Sequence, residues 1–253
     1  MKKLIYFLMV SALLAACSKS ESDQLANPTG KPGSITRFSS YGNYLYVLDQ
    51  NKIVTYDITN AGQPKKVHEL VDDYGLETIT LYEGTIYIGS RSALYILEIA
   101  NPAAPSILSK SERIGDLAGG CDPVAVRNQY AYSTVKIIEN VCGQANVSSR
   151  LLVYDVTNKT NPILVDEEAM DIPNGLGYKD NTLFVCDEGA DRIFLFDISI
   201  PSDPVPFSSF DLVDAMDLIV DGNRMVVSTK TGFSFFDVTD VNNIQSRGNI
   251  EIQ

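Results

Sequence analysis

Leu152-Val153-Tyr154-Asp155-Val156-Thr157-Asn158 is a short apolar strand carrying one acidic residue, and the same pattern occurs five times along the chain. Successive acidic positions lie 41, 57, 42 and 40 residues apart. The longest interval contains an insertion, much of it between residues 132 and 150. The five acidic residues are Asp57, Glu98, Asp155, Asp197 and Asp237. Self-similarity at a period near 40 residues indicates a repeat architecture.

Each repeat unit contains four segments of strand character separated by turn-forming residues. In the first unit, β-branched, aromatic and other apolar residues occupy 35–39, 44–48, 53–58 and 66–70. In four units a proline-bearing turn follows the third segment. It marks the fourth segment as an outer edge strand, because proline cannot donate a hydrogen bond within a sheet.

Four short strands in each of five units predict an all-β fold, a five-bladed β-propeller of four-stranded antiparallel blades. A helical solenoid is excluded because no 3.6-residue apolar period is sustained. An open stack and a six-bladed ring with one degenerate blade are the alternatives. The predicted blades span about 34–70, 76–112, 122–170, 172–212 and 215–253.

The chain begins with Met1-Lys2-Lys3, followed by an apolar run from Leu4 to Ala16 and by Cys17. The run has 13 residues, fewer than the ~20 that a membrane-spanning helix needs. Small residues precede the cysteine, so the segment resembles the lipobox at which a lipoprotein signal peptidase cuts before a diacylated cysteine. We therefore predict a signal peptide at 1–16, a lipidated Cys17 with a flexible tether at 17–33, and a propeller at 34–253. An ordinary secretory signal is the alternative.

The predicted location is the bacterial cell envelope, where the lipid on Cys17 attaches the protein to a membrane. Lys19, followed by Glu21 and Asp23, weakly resembles the signal that sends Bacteroidetes lipoproteins to the outer leaflet, and an arbitrary polar tether is the alternative. The outer membrane is the predicted membrane, with its periplasmic face and the cell surface both open. Without residues 1–16 the chain has 18 basic and 32 acidic side chains, a net charge of −14. This charge and the lack of a Lys/Arg cluster exclude nucleic acid as a partner.

The remaining cysteines have structural interpretations. Cys121 and Cys142 flank an irregular stretch of an exported protein, where oxidising conditions permit a disulfide. Such a bridge, closing a loop of 22 residues, contributes about 3 kcal/mol in the chain-entropy model. Cys186 lies in an apolar run and is predicted to be a small buried thiol.

The repeat units resemble the LVIVD repeat of bacterial and archaeal surface proteins, a Leu-x-Val-x-Asp-Val-Ser-Asn-Pro strand with a proline turn. Residues 152–158 and the following Asn161-Pro162 match it most closely. Residues 121–124, Cys142 and residues 174–177 are also similar to Bacteroidetes lipoproteins of this family. The resemblance covers all five units and implies a surface-located propeller without a settled activity. Relatives often carry a histidine between Asn174 and Gly175, and its absence here puts histidine-based chemistry in doubt.

Candidate binding residues lie where the innermost strands begin, at the mouth of the central channel. Counting ten residues back from an aligned position of the second segment locates this rim in each unit. Carboxylates that converge on a narrow channel repel one another, which raises a pKa or captures a cation. The alternative to ligand binding is a structural role, in which these residues cap strand ends and bind water. The predicted rim residues are Thr36, Glu77, Asp122, Asn174 and Met216, with Asp217 beside the last.

The other polar motifs favour structure over chemistry. The acidic residue that recurs in every unit is predicted to accept hydrogen bonds from the turn that follows it. His68 is the sole histidine, so a histidine triad or a multi-histidine metal site cannot form within one chain. Residues 187–191 resemble a calcium loop only loosely and are predicted to be a solvated hairpin turn. The sequence thus predicts no catalytic residue, metal or cofactor, with calcium-stabilised structure as a further possibility.

The function predicted from these features is a non-catalytic binding or scaffolding module for a protein or glycan partner. The alternative is a carbohydrate hydrolase that uses the carboxylates of Glu77, Asp122 and Asp217. Tryptophan is absent, although sugar sites usually stack on aromatic rings, and thirteen tyrosines could substitute.

Overall fold

The computed structural model describes residues 35–71, 75–90, 93–112, 123–136 and 149–252. The predicted signal peptide, the lipid site Cys17, the tether, the rim residue Asp122 and the predicted Cys121–Cys142 disulfide all lie outside these residues. Within them every regular element is a β-strand. No helix long and apolar enough to cross a membrane occurs in the described part of the chain.

Twenty strands form five antiparallel sheets of four strands each, as the repeat predicts. Blade 1 contains β1 (Phe38–Tyr41), β2 (Tyr44–Asp49), β3 (Lys52–Asp57) and β4 (Lys65–Val71). Blade 2 contains β5 (Leu76–Tyr82), β6 (Thr85–Ser90), β7 (Ala93–Glu98) and β8 (Ser106–Glu112). Blade 3 contains β9 (Val124–Arg127), β10 (Tyr130–Val135), β11 (Arg150–Asp155) and β12 (Ile163–Ala169). Blade 4 contains β13 (Pro173–Lys179), β14 (Thr182–Asp187), β15 (Arg192–Asp197) and β16 (Val205–Asp211). Blade 5 contains β17 (Ala215–Asp221), β18 (Arg224–Thr229), β19 (Gly232–Asp237) and β20 (Gln245–Glu251).

The strands of each blade pair in sequence order, and the first strand of every blade lines one shared central cavity. The five sheets therefore surround an axis, and the prediction of a five-bladed propeller is confirmed. A register shift recurs between the third and fourth strands of every blade, at the same aligned position. Such bulges increase strand twist.

The recurring acidic residue ends the third strand of each blade and caps the following turn. In four blades its Oδ1 accepts a hydrogen bond from the backbone N–H two residues later, at 2.8–2.9 Å. Blade 2 has the longer Glu98 instead, whose Oε1 accepts a hydrogen bond from Ser106 Oγ at 3.0 Å. The prediction that these acids are structural is confirmed.

Neighbouring blades are joined by buried apolar cores. One core lies at each of the junctions 1–2, 2–3, 3–4 and 4–5. Two tyrosine hydroxyls also form hydrogen bonds across junctions. Tyr46 donates to the carbonyl of Pro102, and Tyr132 donates to the carbonyl of Pro201, each at 3.0 Å. At the junction of blades 5 and 1 the described residues contain no such core, and the Ile35 N–H donates to Asp217 Oδ2 at 3.2 Å.

Cys186 is fully buried in the core between blades 4 and 5. Burial raises the pKa of its thiol well above the usual value, with Asp217 and Asp187 adding to the shift. A thiol that stays protonated is a poor nucleophile. The prediction of a small, inert, buried cysteine is confirmed.

Candidate functional site

The central cavity of the ring has a volume of about 440 Å³. Three consecutive residues of each innermost strand line it, at 38–40, 80–82, 124–126, 176–178 and 218–220, together with Leu45. Most of these side chains are apolar, and the lining contains no carboxylate, lysine or arginine among the described residues. The channel itself therefore offers an apolar environment, with polar chemistry confined to its ends.

The predicted rim residues that the structure describes lie where the innermost strands begin. Thr36 precedes β1, and its hydroxyl donates to the carbonyl of Ile79 in blade 2 at 3.3 Å. Glu77 and Asn174 are buried near the starts of β5 and β13. Asp217 accepts the hydrogen bond from Ile35, and its own N–H donates to Ser228 Oγ at 3.1 Å. Ligand binding at this rim stays a prediction. The contacts of Thr36 with Ile79 and of Asp217 with Ile35 join neighbouring blades, whereas the contact of Asp217 with Ser228 lies within blade 5.

Asn174 connects the rim to a group of charged residues from blades 3, 4 and 5, which we call the mouth cluster. Its Nδ2 donates to Glu188 Oε2 at 3.0 Å and to the carbonyl of Ala215 at 3.2 Å. Two lysines flank Glu188, with Lys136 Nζ at 2.9 Å from Oε2 and Lys230 Nζ at 2.6 Å from Oε1. Lys230 also contacts Asp214 Oδ1 at 2.8 Å. The mouth cluster consists of Lys136, Asn174, Glu188, Asp214 and Lys230.

The electrostatics of the mouth cluster favour the fully charged state. Hydrogen bonds from Lys230, Lys136 and Asn174 lower the pKa of Glu188 to about 2. Asp214 and Glu188 in turn raise the pKa of Lys230. Glu188 and Lys136 are largely covered, while the side chain of Lys230 is 52% exposed. Lys230 therefore presents a positive charge at the mouth, held in place by two carboxylates.

The predicted hairpin turn at residues 187–191 is present, and Gly189 and Asp191 in it are exposed, but its first residue is buried. Asp187 is 1% exposed, and its carboxylate accepts hydrogen bonds from the N–H groups of Asp171, Ile172, Gly189 and Ala190. The next residue, Glu188, is the centre of the mouth cluster. The sequence contained a usable signal, because Lys136, Glu188 and Lys230 each directly follow the second strand of their blade.

Close packing explains why the position after Asn174 carries no side chain. A Cβ on Gly175 would lie 2.5 Å from the Cα of Asp217 in blade 5. Any side chain on residue 175 would therefore require blades 4 and 5 to move apart. The described residues also contain no group of three or more His, Cys, Asp or Glu side chains that could hold a metal ion.

Comparison with known proteins agrees with this architecture. The LVIVD repeat model matches residues 32–69 and 77–111, which cover the first two blades. The first two blades therefore match the LVIVD repeat, in agreement with the resemblance of the repeat units. A search of curated proteins finds no match to the chain.

Solved structures with the same fold come from different organisms and have different names. A protein from Lactobacillus plantarum is 13% identical, with a TM-score of 0.62 over 84% of this chain and 69% of its own. The periplasmic gluconolactonase PpgL of Pseudomonas aeruginosa is 11% identical, with a TM-score of 0.65 over 85% and 71%. Hsv2p of Kluyveromyces lactis is 13% identical, with a TM-score of 0.55 over 85% and 70%. At these identities the likeness shows the fold alone.

We expect the ion pairs of Glu188 to make the stability of the protein depend on pH in an acidic window. Its folded pKa of about 2 lies below the ordinary value of 4.5, so the stabilisation is complete above pH 4.5 and is lost as the pH falls towards 2. The loss in the free energy of unfolding is on the order of 1–3 kcal/mol. Glu188→Gln should lack this component in urea unfolding, whereas Glu251→Gln on the exposed strand β20 should keep it. A carboxyl titration by NMR that gives Glu188 its ordinary pKa would contradict this assignment.

Proposed function

We propose that this protein is a lipid-anchored, extracytoplasmic propeller that works as a non-catalytic binding or scaffolding module for a protein or glycan partner. The observation that carries the proposal is the mouth cluster. It combines charges of both signs with one half-exposed lysine, and it is built from three blades of the ring. Such a surface favours a partner with complementary charges, because polar complementarity at an interface sets specificity and orientation.

The geometry supports binding over hydrolysis. A glycosidase needs one carboxyl group with a raised pKa to act as an acid, with a second carboxylate beside the reacting bond. At the mouth, Glu188 is instead held ionised by two lysines. Asp217 bonds the backbone of Ile35, and the cavity beyond the rim offers mainly apolar walls. Glu168 does have a raised pKa, through burial and the nearby Asp166 and Asp203, but it lies on β12 at the outside of blade 3.

Membrane attachment through Cys17 is the part of the proposal that a single substitution tests. Expressed from the full sequence in a bacterial host, the protein should incorporate labelled palmitate and fractionate with membranes. Cys17→Ser should lose both properties, because no acyl chain could then be attached. Cys186→Ser is the matched control and should stay in the membrane fraction. Membrane retention of the Cys17→Ser protein would contradict the anchor.

Partner binding at the mouth is tested by comparing two exposed, ion-paired basic residues of blade 5. Lys230→Gln removes a positive charge from the mouth cluster. Arg247→Gln removes a positive charge from the outer strand β20, where Arg247 pairs with Asp237. After mild cross-linking in the native envelope, Lys230→Gln should recover less of the partner than the unmodified protein, because the half-exposed charge is lost. Arg247→Gln should recover the same amount.

Two outcomes would overturn the proposed function. Equal recovery of partners by both variants would remove the mouth cluster as the binding surface. Release of sugar from envelope polysaccharide by the unmodified protein, abolished in Glu77→Gln, would establish the hydrolase instead.

A further inference from the structure

The junction between blades 5 and 1 exposes residues that the other blades bury. Phe233 is 39% exposed, whereas the residues at its aligned position, Ile53, Leu94, Leu151 and Ile193, are at most 1% exposed. Across the junction, Phe38 is 60% exposed, whereas its counterparts Ile79, Val124, Leu176 and Leu218 are at most 2% exposed. Two apolar sheet faces that are built for blade packing therefore meet solvent here.

The sequence of blade 5 is adapted to this difference. The aligned aromatic residue of the second strand is Tyr46, Tyr87, Tyr132 and Phe184 in blades 1 to 4, and all four are buried against the next blade. Blade 5 has the smaller, partly exposed Val226 at this position. Each blade consists of consecutive strands, so no sheet combines strands from the two ends of the described chain. The junction is consequently held by neither a shared core nor a shared sheet.

The exposed junction leads into the central cavity. Phe38 from blade 1 and Ile219 from blade 5 both line the cavity, and both are exposed, at 60% and 39%. The residues aligned with Ile219 are the small Ser39, Thr80, Ala125 and Gly177. The exposed side chains of Phe38 and Ile219 therefore mark where the cavity wall meets the open junction.

Size and lining restrict what the cavity can hold. Its volume of about 440 Å³ falls in the range of ligand pockets, roughly 300–1,000 Å³. One turn of an α-helix with its side chains fills roughly 500 Å³, by its diameter and pitch, so a protein helix does not fit. The mainly apolar lining, without charged side chains among the described residues, is poorly suited to a sugar. A slender apolar chain satisfies both restrictions.

One basic residue, Arg127, lies beyond the lining residues, at the end of β9 that is opposite the mouth cluster. Arg127 directly follows the lining residue Val126, and it is close enough to the lining residue Tyr178 to oppose the rise in the pKa of that phenol. The carboxylate of Glu83 has the opposite and smaller effect on Tyr178. Arg127 donates to two neutral oxygens, Asn181 Oδ1 at 2.7 Å and the carbonyl of Ile198 at 3.5 Å. In the described part of the chain it forms no ion pair with a carboxylate.

We infer that the central cavity binds the alkyl chain of a single-chain carboxylate, a fatty acid taken up as a monomer from water. The chain enters through the junction between Phe38 and Ile219, and the carboxylate faces Arg127. The alkyl chain replaces the missing packing at the junction, since transfer of its CH₂ groups out of water stabilises the complex. This site is separate from the mouth cluster, so it goes beyond the proposed function and does not depend on it.

The test is a fluorescence titration of the full protein with dansyl-labelled undecanoic acid below its micelle concentration. The unmodified protein should bind one molecule saturably, and unlabelled dodecanoic acid should displace it. Ile219→Lys should weaken binding by about tenfold, because it places a charge at the entrance. Ile163→Lys is the matched control, since Ile163 is an exposed isoleucine on β12, and it should bind as the unmodified protein does. Arg127→Gln should weaken binding of the acid while leaving binding of its methyl ester unchanged.

Several results would overturn the inference. The first is that the unmodified protein shows no saturable binding. The second is that Ile219→Lys and Ile163→Lys weaken binding equally. The third is a fluorescence signal that appears only with phosphatidylcholine vesicles, because that signal reports a membrane surface. Equal effects of Arg127→Gln on acid and ester would remove the carboxylate contact. If Ile219→Lys fails to fold, as judged by circular dichroism, Phe38→Ser on the other side of the entrance provides the same comparison.

Discussion

The fold depends on a packing constraint, because each four-stranded sheet has two apolar faces that it cannot bury alone. Apolar faces left in water are unfavourable, and a fully buried large apolar side chain contributes about 1.5–3 kcal/mol. Stacking blades around an axis solves the problem at four junctions, where isoleucine, leucine and aromatic residues from both partners form a shared core. The central cavity follows from this arrangement.

Repeated and unrepeated residues have different roles in this ring. The acidic residue at the end of the third strand and the bulge in the fourth strand recur in every blade, and they shape each sheet in the same way. The mouth cluster and Arg127 occur once, and so do the exposed Phe38 and Ile219 at the open junction. A residue that recurs in every blade makes all sides of the ring alike. The unrepeated residues make one side differ from the others, and we therefore expect a partner to be recognised there.

The sequence was a good guide to everything that depends on short-range pattern. Strand count, the acidic caps and the buried Cys186 all follow from alternation, turn residues and apolar runs within one unit. The mouth cluster was missed because Lys136, Glu188 and Lys230 are 42 to 94 residues apart in the chain and meet only when blades 3, 4 and 5 are stacked. The open junction was missed for the same reason, since Phe38 and Phe233 look like ordinary core residues until their neighbours are known.

Two large-to-small substitutions at one aligned position test this account most directly. Ile193 is buried between blades 4 and 5, and Phe233 occupies the same place on the face of blade 5 that points to blade 1. Ile193→Ala should lower the free energy of unfolding by about 2–5 kcal/mol, as cavities in a packed core do. Phe233→Ala should lower it by less than about 1 kcal/mol, because the side chain is already partly in solvent. Losses of equal size in urea unfolding would show that the fifth junction is sealed like the other four, and would contradict both the open junction and the entrance to the cavity.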